Sequence, residues 1–135
     1  MSPIPVFLLL WMSSLMLLSP GTDAFRYSCG YRANGCSIPG NLPFFYKNIF
    51  RPACNKHDQC YKCGSSRRYR ISRFSCDNKF VRNMLSICRR RFWHSAFGKC
   101  REFAGLYYTA VRFGGRSHYL STPESHCPWV AHCLN

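Results

Sequence analysis

Carboxylates are scarce in this chain: five Asp and Glu stand against 19 Lys and Arg in 135 residues, for a formal charge of +14. So few acids exclude an acidic surface and direct attention to the positions that keep one. No Asn-x-Ser/Thr triplet occurs, so no N-linked glycan is expected. No internal repeat or low-complexity tract occurs either, which leaves one domain as the expectation for this length. No run beyond the first two dozen residues approaches the length of a membrane-spanning segment. No convincing alternating run argues for strands, leaving room for no more than a small loop hairpin.

The apolar run from Phe7 to Leu18 is followed by Ser19-Pro20-Gly21, with the small residues Thr22 and Ala24 placed for cleavage after Ala24. No Lys or Arg precedes the run, which is also short for a membrane anchor. The expected division is a secretory leader over 1–24 and a single secreted, extracellular domain over 25–135. All ten cysteines follow the leader, at positions 29, 36, 54, 60, 63, 76, 88, 100, 127 and 133. An even count in that context implies a disulfide framework with no free thiol. Loss of Asp23 with the leader makes the remainder still more basic. The charge gathers in Arg67-Arg68-Tyr69-Arg70-Ile71-Ser72-Arg73 and in Arg89-Arg90-Arg91. It implies an anionic partner: a lipid surface, a glycosaminoglycan or, least of all in a secreted protein, a nucleic acid.

Cys29 to Pro43 reads as a disulfide-tied loop. Pro52 is placed to open a helix, where its missing N–H does no harm. On that helix Cys54, His57, Asp58 and Tyr61 share one face, and Gly64-Ser65-Ser66 ends it. The Arg-rich stretch to Ser75 reads as a connector. Asp77, Phe80, Met84 and Cys88 form the inner stripe of a second helix. Cys100, Phe103, Ala104, Tyr107 and Val111 form that of a third, from about Lys99 to Arg112, stopped by Gly114-Gly115. Ser117 to Asn135 has no periodicity and reads as loop. The expected fold is all-α: a small disulfide-rich three-helix domain with a looped N-terminal segment.

Only Asp77 interrupts the apolar inner stripe of the second helix, and a carboxylate facing a packed interior needs partners. His57 is a natural general base near neutral pH. A buried carboxylate on its far ring nitrogen would fix the tautomer and stabilise the imidazolium. Asp77 can fill that role if the second helix packs antiparallel to the first. Asp58 points about 100° away from its neighbour and is free for another task, such as holding a hard cation with loop carbonyls. The loop Asn34-Gly35-Cys36 can supply those carbonyls if Cys36 is tied to the helix. No side-chain nucleophile is required, since a water activated by His57 suffices. His94, His118, His126 and His132 lack a comparable carboxylate neighbour and read as structural or surface residues.

Cys54-x-x-His57-Asp58-x-Cys60-Tyr61 resembles the signature of secreted phospholipases A2. Asn34-Gly35-Cys36-Ser37-x-Pro39-x-Asn41-x-Pro43-Phe44, Pro52-Ala53-Cys54, Asp77-x-x-Phe80-x-x-x-Met84-x-x-x-Cys88 and Tyr107-Tyr108-x-Ala110-Val111-Arg112-x-x-Gly114 resemble the conodipine branch of cone-snail venoms. Small bacterial and fungal phospholipases A2 share the skeleton, and the resemblance covers roughly Cys29 to Gly115. It implies that His57 activates the water that attacks the sn-2 ester, that Asp77 orients His57, and that Tyr61 hydrogen-bonds Asp77. It implies calcium (Ca2+) held by Asp58, the Gly35 carbonyl and the Asn34 side chain. Bacterial relatives carry Asp where Asn34 stands, so weaker calcium binding is expected here. A phospholipid membrane surface, preferably anionic, is the implied partner, with a venom role.

The same resemblance implies the pairs Cys36–Cys54 and Cys88–Cys100, with Cys60–Cys76 as an addition beside the site. It leaves Cys29, Cys63, Cys127 and Cys133 unassigned. Conodipines are two disulfide-linked chains, and Arg89-Arg90-Arg91 offers a basic cleavage site; a single uncut chain is favoured. Two rival readings remain. One is a catalytically silent basic toxin that binds a receptor, channel or anionic membrane through Phe44, Phe45, Tyr46, Phe50, Phe92 and Trp93. The other is a zinc or redox module on Cys60-Tyr61-Lys62-Cys63.

Overall fold

Tyr46 turns the chain into the first helix. Its backbone sits in the left-handed region, at φ 64°, and its carbonyl accepts the Phe50 N–H at 2.8 Å. From there α1 runs over Lys47–Cys63. Pro52 lies inside α1, not at its start. The helix reaches further back because Phe50 continues the inner stripe: Phe50, Cys54, His57 and Tyr61 fall at i, i+4, i+7 and i+11, and all are buried. Pro52 removes the N–H that would reach the Asn48 carbonyl, a loss confined to the exposed first turns. The computed structural model describes residues 26–37 and 45–135. The leader expected over 1–24 lies outside these residues, as do Pro39, Asn41, Pro43 and Phe44.

Gly64 caps α1 at its C-terminus, where the chain folds back and Ile71 N–H bonds the Gly64 carbonyl at 2.8 Å. A side chain at Gly64 would meet the Ile71 carbonyl oxygen at 2.9 Å, so close approach and not backbone twist demands glycine. The connector expected to run to Ser75 ends at Ser72. The Ser72 hydroxyl accepts the Ser75 N–H at 3.2 Å, the side-chain cap that starts a helix, and α2 spans Arg73–Arg91. Arg89, Arg90 and Arg91 form its last turn, where positive charge suits the helix dipole. The third helix, α3, spans His94–Gly114 and begins five residues before Lys99. Phe97 explains the extension: it lies three residues before Cys100 and packs on the core from the same stripe.

The tail expected as loop contains two 3₁₀ helices, Arg116–His118 and Cys127–Cys133. Pro128 opens the second, and Cys127, Val130 and Cys133 bury its inner side. No strand occurs among the described residues, and no described helix is long and apolar enough to cross a membrane.

Helix α2 packs against both α1 and α3, and the second 3₁₀ helix packs against α1. The larger core cluster joins Phe50, Ala53, Phe80, Met84, Ile87, Ala104, Tyr107 and Val111 with two disulfides. A second cluster gathers Tyr61, Val130 and Leu134 around five cysteines. All ten cysteines are paired: Cys36–Cys54, Cys60–Cys76 and Cys88–Cys100 as the resemblance implied, and Cys29–Cys133 and Cys63–Cys127 for the four left unassigned. Cys60 and Cys63 thus belong to different bridges, which removes the zinc or redox module. The aromatic set of the binding reading also needs correction. Phe50 is fully buried, and Tyr46 and Phe92 pack against the core, while Phe45 and Trp93 are exposed.

Candidate active site

Helices α1 and α2 bring His57 and Asp77 together. The His57 Nε2 lies 2.8 Å from Asp77 Oδ1, although the two residues are 20 positions apart. Cys60–Cys76, adjacent to both, fastens the helices where they meet. The Tyr61 hydroxyl donates to the same Asp77 oxygen at 2.7 Å. The Arg112 guanidinium, from α3, donates to Asp77 Oδ2 at 2.6 Å, and Arg73 stands 3.5 Å from that oxygen. Asp77 is completely buried. Burial alone would raise its carboxyl pKa, but the hydrogen bonds from His57, Tyr61 and Arg112 outweigh it and hold the pKa below its ordinary value. Asp77 is therefore an ionised acceptor.

That fixes the histidine. With an ionised Asp77 on Nε2, the proton resides on Nε2 and Nδ1 carries the free lone pair. The ring is held by its neighbours: it stacks on Phe80 at 4.5 Å and lies 4.1 Å from the Tyr61 ring. Burial and the Asp77 contact both raise the Tyr61 pKa, so its hydroxyl remains a donor.

His57, Asp58 and Tyr61 line a cleft of about 500 Å3, within the size range of small-molecule sites. Asn34 and Ser37 border it on one side, and Val111 and Gly115 on another. The tail closes the rest with Ser117, His118, Leu120 and Glu124. The N-terminal segment lies along α1. Gln59 donates to the carbonyls of Cys29 and Tyr31, Lys62 donates to the Arg32 carbonyl at 2.6 Å, and Cys36–Cys54 closes the far end. The Asn34 N–H then reaches Asp58 Oδ2 at 3.0 Å.

Asp58 differs from Asp77. It forms no ion pair among the described residues, and burial raises its carboxyl pKa against the lowering effect of the Asn34 N–H. Gly35 turns the loop beside it at φ +69°, with open space where a side chain would stand. A largely desolvated carboxylate that enters no ion pair among the described residues, with the Asn34 N–H on one oxygen and the Lys62 charge nearby, is a ligand that a hard cation can use. The residues fit calcium: Asp58, the Gly35 carbonyl and the Asn34 side chain would hold it. The Gly35 carbonyl already accepts the Ser37 N–H at 3.0 Å, which leaves it a second lone pair.

Several site residues escaped the sequence reading. Arg112 and Arg73 carried no role there, because nothing local signals that an arginine of α3 reaches an acid of α2. His118 lines the cleft. His126 does have a carboxylate neighbour: its Nδ1 lies 3.2 Å from Glu124 Oε2, without the alignment of a hydrogen bond. It is buried, with Nε2 bonded to Gln59 at 2.8 Å, and thus structural as expected. Burial lowers its pKa, with the nearby Glu124 opposing. Cys29, Cys133 and His132 cluster closely enough for a metal, but the two sulfurs are joined to each other.

Comparison with known proteins decides the family. The profile of the prokaryotic phospholipase A2 family matches residues 18–115, which is most of the chain and includes every residue of the His57–Asp77–Tyr61–Arg112 cluster. The chain belongs to the prokaryotic phospholipase A2 family. The match begins inside the expected leader and ends at Gly115, so the tail that closes the cleft lies beyond the part common to this family. Conodipine-P3 of Conus purpurascens is 44% identical over 71 residues, 53% of this chain and 38% of that protein. The conodipine-M alpha chain of Conus magus is 34% identical over 61 residues, 44% of this chain and 74% of that one. A secretory phospholipase A2 of Beauveria bassiana is 34% identical over 91 residues, 65% of this chain and 45% of that one. The chain thus spans about two fifths of the length of the P-type conodipines that it matches. No solved structure matches it.

Proposed function

We propose that this protein is a secreted, calcium-dependent phospholipase A2 that hydrolyses the sn-2 ester of glycerophospholipids and serves as a venom component. The observation that carries the reading is the His57 Nε2 to Asp77 Oδ1 contact at 2.8 Å, on the wall of a cleft and around a fully buried carboxylate. Nδ1 of His57 takes a proton from a water as its oxygen attacks the ester carbonyl. Asp77 stabilises the imidazolium that results, and Tyr61 and Arg112 keep the carboxylate in place. The proton then passes from His57 to the departing glycerol oxygen, leaving a fatty acid and a lysophospholipid. Calcium on Asp58, Gly35 and Asn34, when bound, would polarise the ester carbonyl and offset the phosphate charge.

The lipid surface would meet the end of the molecule that carries the cleft. Phe74 and Phe113 are 58% and 87% exposed, Phe113 lies in sequence between the cleft residues Val111 and Gly115, and the Arg112 guanidinium lies 5.2 Å over the Phe74 ring. With the Arg112 charge held by Asp77, it is the exposed aromatic rings that suit an interface, and the chain's overall positive charge that suits an anionic one. The chain acts uncut; Cys88–Cys100 would keep the two parts joined if Arg89–Arg91 were cleaved.

The test is fatty-acid release from mixed phosphatidylcholine and phosphatidylglycerol vesicles, with calcium and with chelator. The expected result is release with calcium only, abolished in His57→Gln without loss of helical circular dichroism. Vesicle binding without release would instead favour the silent toxin. Release by His57→Gln would remove His57 as the base, and release in chelator would remove the calcium site.

A further inference from the structure

Of the ten cysteines, nine are buried and Cys29 alone is partly open to solvent. Its partner Cys133 is 2% exposed. This bridge is also the one with an imidazole at its sulfurs: the His132 Nε2 lies 3.4 Å from Cys133 Sγ and 3.9 Å from Cys29 Sγ. Among the described residues no other bridge has a histidine within hydrogen-bond reach of sulfur. His132 itself is exposed and takes no part in the cleft. The three features fit one reaction. Thiol–disulfide exchange needs an accessible sulfur for the incoming thiolate and a leaving sulfur whose negative charge is stabilised. Cys29 supplies the first. Cys133, with the nearer imidazole, supplies the second.

We propose that Cys29–Cys133 is a thiol-exchange site, at which a small thiol becomes attached to Cys29 while Cys133 leaves. The thiolate sulfur bonds to Cys29 Sγ, the Cys29–Cys133 bond breaks, and its electron pair goes to Cys133 Sγ. That thiolate accepts a hydrogen bond from the His132 ring and takes up the proton that the incoming thiol gave to solvent. The products are a mixed disulfide on Cys29 and a thiol at Cys133, with no net change in oxidation state, since one S–S bond replaces another. The bridge spans 104 residues and joins the N-terminal segment to the last turn. Its opening leaves Cys36–Cys54 as the remaining covalent tie of residues 26–37, and so loosens the segment from which Asn34 reaches Asp58. The remaining bridges keep the helices joined, so the modified form stays folded.

The experiment treats the fully oxidised chain with reduced glutathione under native conditions, quenches with acid, alkylates and maps peptides by mass. The expected first product carries glutathione on Cys29 and the alkyl group on Cys133, and forms about tenfold faster than any product at the other four bridges. His132→Gln slows that step several-fold and leaves the other bridges unaffected; His132→Lys, which places a cation beside the leaving sulfur, restores part of the rate. The proposal is overturned if another bridge opens first, if glutathione is found on Cys133 in place of Cys29, or if His132→Gln exchanges as fast as the parent. The readout does not involve lipid hydrolysis, so it stands or falls apart from the enzymatic reading.

Discussion

Around Met84 the interior is mostly hydrocarbon and aromatic, with four cysteines among twelve buried residues, whereas around Val130 cysteines are five of eight. The first region is built from three helices whose stripes repeat at the helical period, so burial of apolar faces suffices to order them. The second is built half from the tail, whose one buried face is the short 3₁₀ stripe of Cys127, Val130 and Cys133. Its backbone is ordered by Cys63–Cys127 and Cys29–Cys133 and by single contacts, such as Lys79 Nζ on the Leu134 carbonyl at 2.6 Å. The candidate cleft lies on the seam. His57, Asp77 and the candidate calcium ligands come from the region that the family profile covers, while four lining residues come from the tail beyond it. Chemistry and enclosure thus rest on different kinds of cohesion, and the two can be disturbed separately.

The largest effect should come from the helical side. Asp77→Asn removes the negative charge and replaces one acceptor oxygen with an NH2 donor, so the His57 tautomer is no longer fixed, and hydrolysis should fall by about 10³–10⁴-fold, measured as initial rate on vesicles at saturating calcium. A loss below tenfold would mean that the carboxylate is structural. Phe80→Ala removes the ring against which His57 stacks and opens a cavity in the main core, with an expected loss of about 3–5 kcal/mol in denaturant unfolding. The double change Cys63→Ser, Cys127→Ser should cost about 2–5 kcal/mol and leave helical circular dichroism intact at room temperature. If it melts the helices instead, the two regions are one cooperative unit. The smallest effect is with pH, and the two acids should give opposite signs. Asp77 has a folded pKa below 3.8, so its stabilisation is full above pH 3.8 and is lost as the pH falls through the depressed value. Asp58 has a folded pKa above 3.8, so its ionisation costs stability at neutral pH, and that cost is relieved as the pH falls toward 3.8. Asp58→Asn should therefore flatten the gain on mild acidification in chelator, and Asp77→Asn the loss at lower pH, both read from thermal melts.

Much of the helical side was legible in the residues. The stripes through His57 and through Asp77 identified the faces that meet, and an acid on an apolar stripe announced a partner. What stayed hidden depends on groups distant in sequence. Arg112 lies 35 residues from the acid it grips, and an arginine on a helix carries no mark of its direction. Helix starts were missed where aromatic burial overrode local signals, at Phe50 before Pro52 and at Phe97 before Lys99. The tail was illegible for a related reason. Sequence spacing could not pair Cys29, Cys63, Cys127 and Cys133, because their bridges close 104 and 64 residues and no periodic face anticipates them.

Gly115 stands where α3 gives way to the tail, and its backbone is helical, at φ −82°; nothing in its torsion calls for glycine. A methyl group there would meet the Val111 carbonyl oxygen and come within 2.5 Å of the Tyr61 hydroxyl. That hydroxyl is the one that holds Asp77. Adding one carbon at this junction would therefore be felt at the buried acid, one contact from His57. The last residue that the family profile covers is thus one whose missing side chain leaves the Tyr61 hydroxyl its place, so the step into the tail is coupled to the acid that orients His57.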